Sequence, residues 1–102
     1  MDRPNKAHAA TVNRLLRRYG GQFNAESGVQ SAKGLIAVET GATVGRSVRR
    51  LLAADGARYL AVTNREVIPD ALEAVNGYPI GVMDPQGRVI KSTRRAPVHV
   101  GN

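Results

Sequence analysis

The start of the chain carries apolar residues at the spacing of a helix with one apolar side. These residues, at positions i, i+3, i+4 and i+7, are Val12, Leu15, Leu16 and Tyr19. The spacing predicts a helix over 7–19. Gly20 and Gly21 follow, as is typical where a helix ends.

A second helix is predicted between two apolar runs that read as strands. The run 35–38 is continuously apolar, which favours a strand buried on both faces, and 58–63 reads as a further strand that is apolar throughout 59–62. Between them, Thr43 is an expected N-cap of a helix that ends by Gly56. The apolar stripe of that helix consists of Val44, Val48, Leu51 and Leu52.

Shorter elements complete the pattern. Segment 22–27 is expected to be a strand with Phe23 and Ala25 facing inward, and Gly28 is expected to begin a hairpin turn. Pro69 suits the first turn of a short helix over 70–75. Segments 78–83 and 88–92 flank Asp-Pro-Gln-Gly at 84–87, which is typical of a type I turn and predicts a C-terminal β-hairpin.

This order predicts one α/β (α+β) domain over 1–102, with a small mixed sheet and helices packed on it. The length of 102 residues suits a single core. A helix between strands 35–38 and 58–63 can join them as parallel neighbours. Residues 1–7 are expected to be a flexible arm and 94–102 a loose tail.

The charge of the chain indicates a polyanionic partner. The net charge is +7, and twelve of the fifteen cations are arginine. Residues 1–50 carry +6 and residues 51–102 only +1. Arginine binds phosphate through two parallel hydrogen bonds, so the predicted partner is nucleic acid, with DNA favoured.

Other classes of protein are disfavoured by the composition. No cysteine is present, which excludes a disulfide framework and thiolate chemistry. Apolar runs reach only four residues and the first residues are polar, so we expect no membrane partner, no secretion signal and a cytoplasmic protein of bacterial or phage type.

The expected nucleic-acid contacts come from two basic helix faces. The candidate residues are Arg14, Arg17 and Arg18 on the first helix and Arg46, Arg49 and Arg50 on the second. Both faces can grip phosphates if the helices lie side by side. On this view the second helix exposes its three arginines to solvent, and replacing Arg46 and Arg50 by glutamine leaves the fold intact and weakens binding.

Three other residues are candidates for catalysis. Glu39 ends the buried strand 35–38, Glu26 ends the strand before it, and Lys33 lies between them. If Glu26 and Glu39 share one Mg²⁺ and Lys33 joins them, the three can position water for phosphodiester hydrolysis. Alternatively, Glu39 is a solvated residue paired with Arg46 or Arg49. The loop 41–47 differs in spacing from a phosphate-binding loop, and Arg46 stands where that loop has lysine.

The segments Gly34-Leu-Ile-Ala-Val-Glu39, Thr40-Gly-Ala-Thr-Val-Gly-Arg-Ser47 and Arg58-Tyr-Leu-Ala-Val-Thr63 resemble the core of the restriction-endonuclease-like PD-(D/E)xK nucleases. The resemblance covers 8–92 in order of elements. It implies a helix, strands that bear the metal-binding acids, a second helix and a further strand. It places Glu39 at the acid of the Glu-x-Lys motif, where Gly41 stands at the lysine position. Glu26 would then replace the first aspartate and Lys33 would be a relocated lysine.

The sequence leaves three functions open. The first is a nuclease-like DNA-binding protein, either a Mg²⁺-dependent endonuclease or an inactive relative. The second is a winged-helix regulator, with helix 43–54 in the major groove and hairpin 78–92 as the wing. The third is a non-enzymatic interaction or inhibitor protein of phage type. A homodimer that spans both strands of a duplex also stays open.

Overall fold

The chain folds as three helices around one six-stranded mixed sheet, in a computed structural model that describes residues 6–40 and 44–94. The helices are α1 (Lys6–Tyr19), α2 (Val44–Ala53) and α3 (Ile68–Ala74). The strands are β1 (Gln22–Asn24), β2 (Gly28–Ser31), β3 (Gly34–Glu39), β4 (Arg58–Val62), β5 (Gly81–Met83) and β6 (Val89–Lys91). A short 3₁₀ helix, Arg65–Val67, precedes α3. The predicted α/β class is confirmed.

The strands lie in the sheet in the order in which they occur along the chain. The first three form an antiparallel meander, β3 to β5 are parallel, and β6 returns antiparallel to β5. The register pairs Leu35 with Arg58 and Glu39 with Val62, so α2 is the crossover between two parallel neighbours. This parallel pairing excludes the winged-helix topology.

Each face of the sheet is covered by its own helices. On one face, α1 buries Val12 and Leu15 against Ile36, Val38 and other residues of β2 to β5. On the opposite face, α2 and α3 pack on side chains of β3, β4 and β5. The central strands are apolar on both sides for this reason, since their successive side chains enter different cores.

The β1–β2 hairpin departs from the prediction. The turn is formed by 25–27, where Asn24 Oδ1 accepts hydrogen bonds from the amides of Glu26 (2.8 Å) and Ser27 (3.2 Å). Gly28 is therefore the first residue of β2 rather than of the turn. Phe23 and Ala25 are both exposed, so their predicted inward orientation is wrong. β1 is an edge strand, and α1 covers β2 and β3 more fully than β1.

The other predicted elements are close to those observed. The hairpin turn at 84–87 is confirmed by the bond from the Gly87 amide to the Asp84 carbonyl (2.9 Å). Pro69 lies in the first turn of α3. Lys6 and Ala7 belong to α1, so the predicted arm is shorter than seven residues. The proposed Thr43 cap, residues 1–5 and the tail from 95 onwards lie outside the described residues.

Candidate functional site

A cleft of about 580 Å³ opens where the β1–β2 turn meets the carboxyl end of β3. It is lined by His8, Phe23, Ala25, Glu26, Ser27, Gly28, Ala37, Val38, Glu39, Thr40 and Arg50. The meander brings β2 beside β3, so the hairpin turn that carries Glu26 and the end of β3 that carries Glu39 lie at the same end of the sheet. The cleft therefore contains both predicted metal-binding carboxylates.

Arg50 joins the two sides of this cleft. Its Nη2 donates to Glu39 Oε2 at 3.2 Å and to Ser47 Oγ at 3.1 Å, and its Nη1 donates to the Glu26 carbonyl oxygen. The Arg50 side chain is 50% exposed and that of Glu39 is 15% exposed. Such a partly exposed pair contributes on the order of 1 kcal/mol or less. Glu39 is thus paired, as the alternative expected, but with Arg50 instead of Arg46 or Arg49.

Lys33 lies away from the two carboxylates. It precedes the first residue of β3, whereas Glu39 is the last, and a strand advances about 3.3 Å per residue. Its ammonium nitrogen lies instead over two tyrosine rings, 6.0 Å from the centre of Tyr19 and 5.7 Å from that of Tyr59. The three predicted catalytic residues are therefore not brought together.

The residues of the cleft do not fit the Mg²⁺ ion that the resemblance implies. The cleft offers only two carboxylates, those of Glu26 and Glu39, and Glu39 is paired with the Arg50 guanidinium. Within 6–40 and 44–94, no three His, Cys, Asp or Glu side chains are grouped closely enough to hold a metal ion. A hard divalent cation prefers several oxygen ligands, so we derive no hydrolytic step from this cleft.

The two predicted basic helix faces lie on opposite sides of the sheet. α1 packs in one core and α2 in the other, so their arginines do not form the side-by-side surface expected. Within α2, Arg50 turns toward Glu39, and Arg49 lines a shallow groove with Leu52 and Tyr78. Arg50 is exposed, as expected of all three arginines of α2, but it differs from Arg46 and Arg49 in being paired with Glu39.

α1 is a strongly basic helix with an exposed side. It contains no acidic residue, and Arg17 and Arg18 are exposed on it. Arg14 is half-buried and its Nη1 donates to the Pro85 carbonyl at 3.3 Å. None of these arginines forms an ion pair with another described residue.

Tyr19 connects the end of α1 to the β5–β6 turn. Its hydroxyl donates to the Gly87 carbonyl oxygen, and its ring lies 5.7 Å from the Arg18 guanidinium carbon. Because Lys33 lies over the same ring, Tyr19 brings the cations of Arg18 and Lys33 together at the end of α1. Lys33 thus extends the basic surface of α1. The sequence gives little indication of this, because Tyr19 and Lys33 are fourteen residues apart.

Three cations in the second half of the chain have internal partners. Arg58 Nη1 donates to three carbonyls at the end of α2, those of Leu51, Leu52 and Ala54, at 3.1, 3.3 and 2.9 Å. Arg65 pairs at 3.1 Å with the buried carboxylate of Asp84. Lys91 Nζ donates to backbone carbonyls, with Ile80 closest at 2.8 Å, and burial lowers the pKa of Lys91. These contacts stabilise the fold.

No protein family, curated protein or solved structure matches this chain. Its class is therefore defined by the fold alone, a mixed α/β sheet sandwiched between α1 and the pair α2 and α3. In the part of the chain that the structure describes, no helix is long and apolar enough to cross a membrane.

Proposed function

We propose that this chain is a nucleic-acid-binding protein of the cytoplasm and that the α1 surface, formed by Arg14, Arg17, Arg18 and Lys33, is its interface. The observation that supports this most directly is the unbalanced charge of that surface. Its four cations have no carboxylate partner among the described residues. Duplex DNA, with one phosphate charge per about 1.7 Å of helix axis, supplies the missing counter-charge.

The spacing of the arginines suits contact with a phosphate backbone. Arg14, Arg17 and Arg18 are three and four residues apart, so they lie on one side of α1. Like charges at this spacing repel one another, and binding a polyanion relieves the repulsion. The contacts of Arg14 with Pro85 and of Arg18 with the Tyr19 ring position two of these side chains before binding.

We further propose binding without metal-dependent cleavage, the inactive-relative form of the nuclease resemblance. The order of elements agrees with that resemblance, since a helix, three strands, a helix and a strand follow one another. The catalytic set does not support hydrolysis, because Lys33 lies away from Glu26 and Glu39, and no group of three metal-binding side chains is present among the described residues.

The test compares two double variants with the same change in net charge. Arg17→Gln with Arg18→Gln alters the α1 surface, and Arg46→Gln with Arg49→Gln removes two exposed arginines on the opposite side of the sheet. Binding of a fluorescent DNA duplex is measured by anisotropy across a range of salt concentrations. We expect the α1 variant to bind more weakly and its log–log salt slope to fall by about 2, roughly 0.9 per lost phosphate contact.

Two outcomes would contradict the proposal. Equal weakening of both variants would mean that net charge, and not the α1 surface, attracts the duplex. Wild-type affinity that hardly changes with salt would favour the non-enzymatic interaction protein instead. In a parallel assay with Mg²⁺ or Mn²⁺, we expect supercoiled plasmid to stay uncut, and cleavage that is lost in Glu39→Ala would restore the endonuclease alternative.

A further inference from the structure

A second hollow, separate from the α1 surface, lies between α2 and the β2–β3 meander. This groove has a volume of about 280 Å³ and apolar walls. Its lining residues are Glu26, Ser27, Leu35, Ala37, Arg50, Leu51, Ala53 and Ala54. Sites for drug-sized ligands measure about 300–1,000 Å³, so this groove suits a ligand with a single ring system.

Arg50 forms part of the wall of both this groove and the Glu39 cleft. Its guanidinium is held from three sides, by Ser47 of its own helix, by the Glu26 carbonyl and by Glu39. Ser47 is buried and the backbone carbonyl belongs to a turn, so these two contacts fix the guanidinium without adding a counter-charge. Glu39 is the only one of the three partners that carries a charge.

Glu39 therefore occupies the position that an incoming anion would take. The pair is partly exposed, so its free energy is small and a ligand carboxylate or phosphate can exchange for it. Arginine is suited to this exchange because its planar fork binds carboxylate and phosphate alike. The apolar walls next to Arg50 favour a ligand that has an apolar part as well as an anionic group, because burial of the apolar part contributes to binding.

We propose that the groove binds a small organic anion, with its single apolar ring system between α2 and β3 and its carboxylate or phosphate on Arg50 in place of Glu39. This site is independent of the α1 surface and lies on the other side of the sheet. A free aromatic carboxylate and an aromatic phosphate monoester share this chemistry.

The test is a titration of the ¹⁵N-labelled full chain in which binding is measured from the amide chemical shifts. Indole-3-acetate and phenyl phosphate represent the two sources of ligand. Indole-3-acetamide has the ring without the charge, and acetate has the charge without the ring. We expect at least one of the two ring-bearing anions to shift the amides of Ala37, Leu51 and Ala54, and both controls to bind at least about tenfold more weakly. The tighter of the two anions identifies the source.

Three variants test the roles of the charged residues. Arg50→Gln should weaken binding about tenfold, since it removes the charged partner. Glu39→Gln should tighten binding by up to about fivefold, because it removes the internal competitor. Arg49→Gln, one residue from Arg50 and outside the groove lining, is the matched control and should change nothing.

The Glu39→Gln result keeps the proposal testable even if Arg50→Gln unfolds the chain. Weaker binding by Glu39→Gln, equal binding of indole-3-acetamide and indole-3-acetate, or no shift with either ring-bearing anion would each overturn it. None of these outcomes bears on duplex binding by α1, which is measured with a different ligand and different variants.

Discussion

Replacement of Gly28 by alanine tests the β2–β3 pairing on which the cleft and the groove both depend. Gly28 has a φ of +104°, which side chains rarely adopt, and it opens β2 directly beside β3. A Cβ built at this position would lie 2.3 Å from the Ile36 carbonyl oxygen. That oxygen belongs to the backbone of a central strand, so the strands would have to separate for the methyl group to fit.

Two costs contribute to the expected loss of stability. Backbone strain at positive φ costs about 1–3 kcal/mol for a residue with a side chain. The steric overlap adds about 1–3 kcal/mol, the usual cost of overpacking. We expect Gly28→Ala to lower the free energy of unfolding by about 3–5 kcal/mol. This is a large share of the total of about 5–15 kcal/mol for a domain of this kind.

Two further glycines separate these costs. Gly20 follows α1 with a φ of +72° and has open space around its Cβ position, so Gly20→Ala should incur strain alone, about 1 kcal/mol. Gly45 lies in α2 without positive φ or close neighbours, and Gly45→Ala should not destabilise the chain. Thermal unfolding by circular dichroism should give a Tm about 12 °C or more below wild type for Gly28→Ala and about 4–8 °C below for Gly20→Ala. Equal losses for the two would refute the close approach of β2 and β3.

Two predictions concern the contacts of α1 and of β6. Tyr19→Phe removes the hydroxyl that donates to the Gly87 carbonyl, and should lower the free energy of unfolding by about 1 kcal/mol in urea denaturation; no change would mean that α1 is not anchored to the β5–β6 turn. For Lys91, burial lowers the pKa below 10.5 in the folded state, so the unfolded chain binds more protons just below pH 10.5. The stability of wild type relative to Lys91→Met should therefore rise with pH in that interval and stay constant below it, and a fall with rising pH would contradict the desolvation.

Much of the fold could be predicted from short-range patterns. The helical spacing of Val12 and Leu15, the apolar run at 35–38 and the Asp-Pro-Gln-Gly turn at 84–87 each depend on residues close together in the chain. The β1–β2 hairpin was predicted less well, because its turn is formed by the Asn24 side chain and its edge strand has little core to face. Alternation of apolar residues does not distinguish an exposed edge strand of this kind from a strand with one buried face.

The candidate site was predicted only in part. Glu26 and Glu39 do share a cleft, since adjacent antiparallel strands bring their region of the chain to one end of the sheet. Lys33 was expected beside them because it is near in sequence, yet a six-residue strand separates it from Glu39. Nearness in sequence becomes distance in space wherever an extended strand intervenes.

The sequence by itself determined the class of the fold, the positions of its helices and central strands, and the excess of positive charge in its first half. Only the tertiary structure decided which cations have an acidic partner. Arg50 is held by Glu39, whereas Arg17 and Arg18 have no acidic partner among the described residues, although all three look alike as arginines on amphipathic helices. The physical reason is that helix and strand periodicities arise from local backbone geometry. The partner of a charged side chain depends instead on which strands are neighbours and which face of the sheet each helix covers.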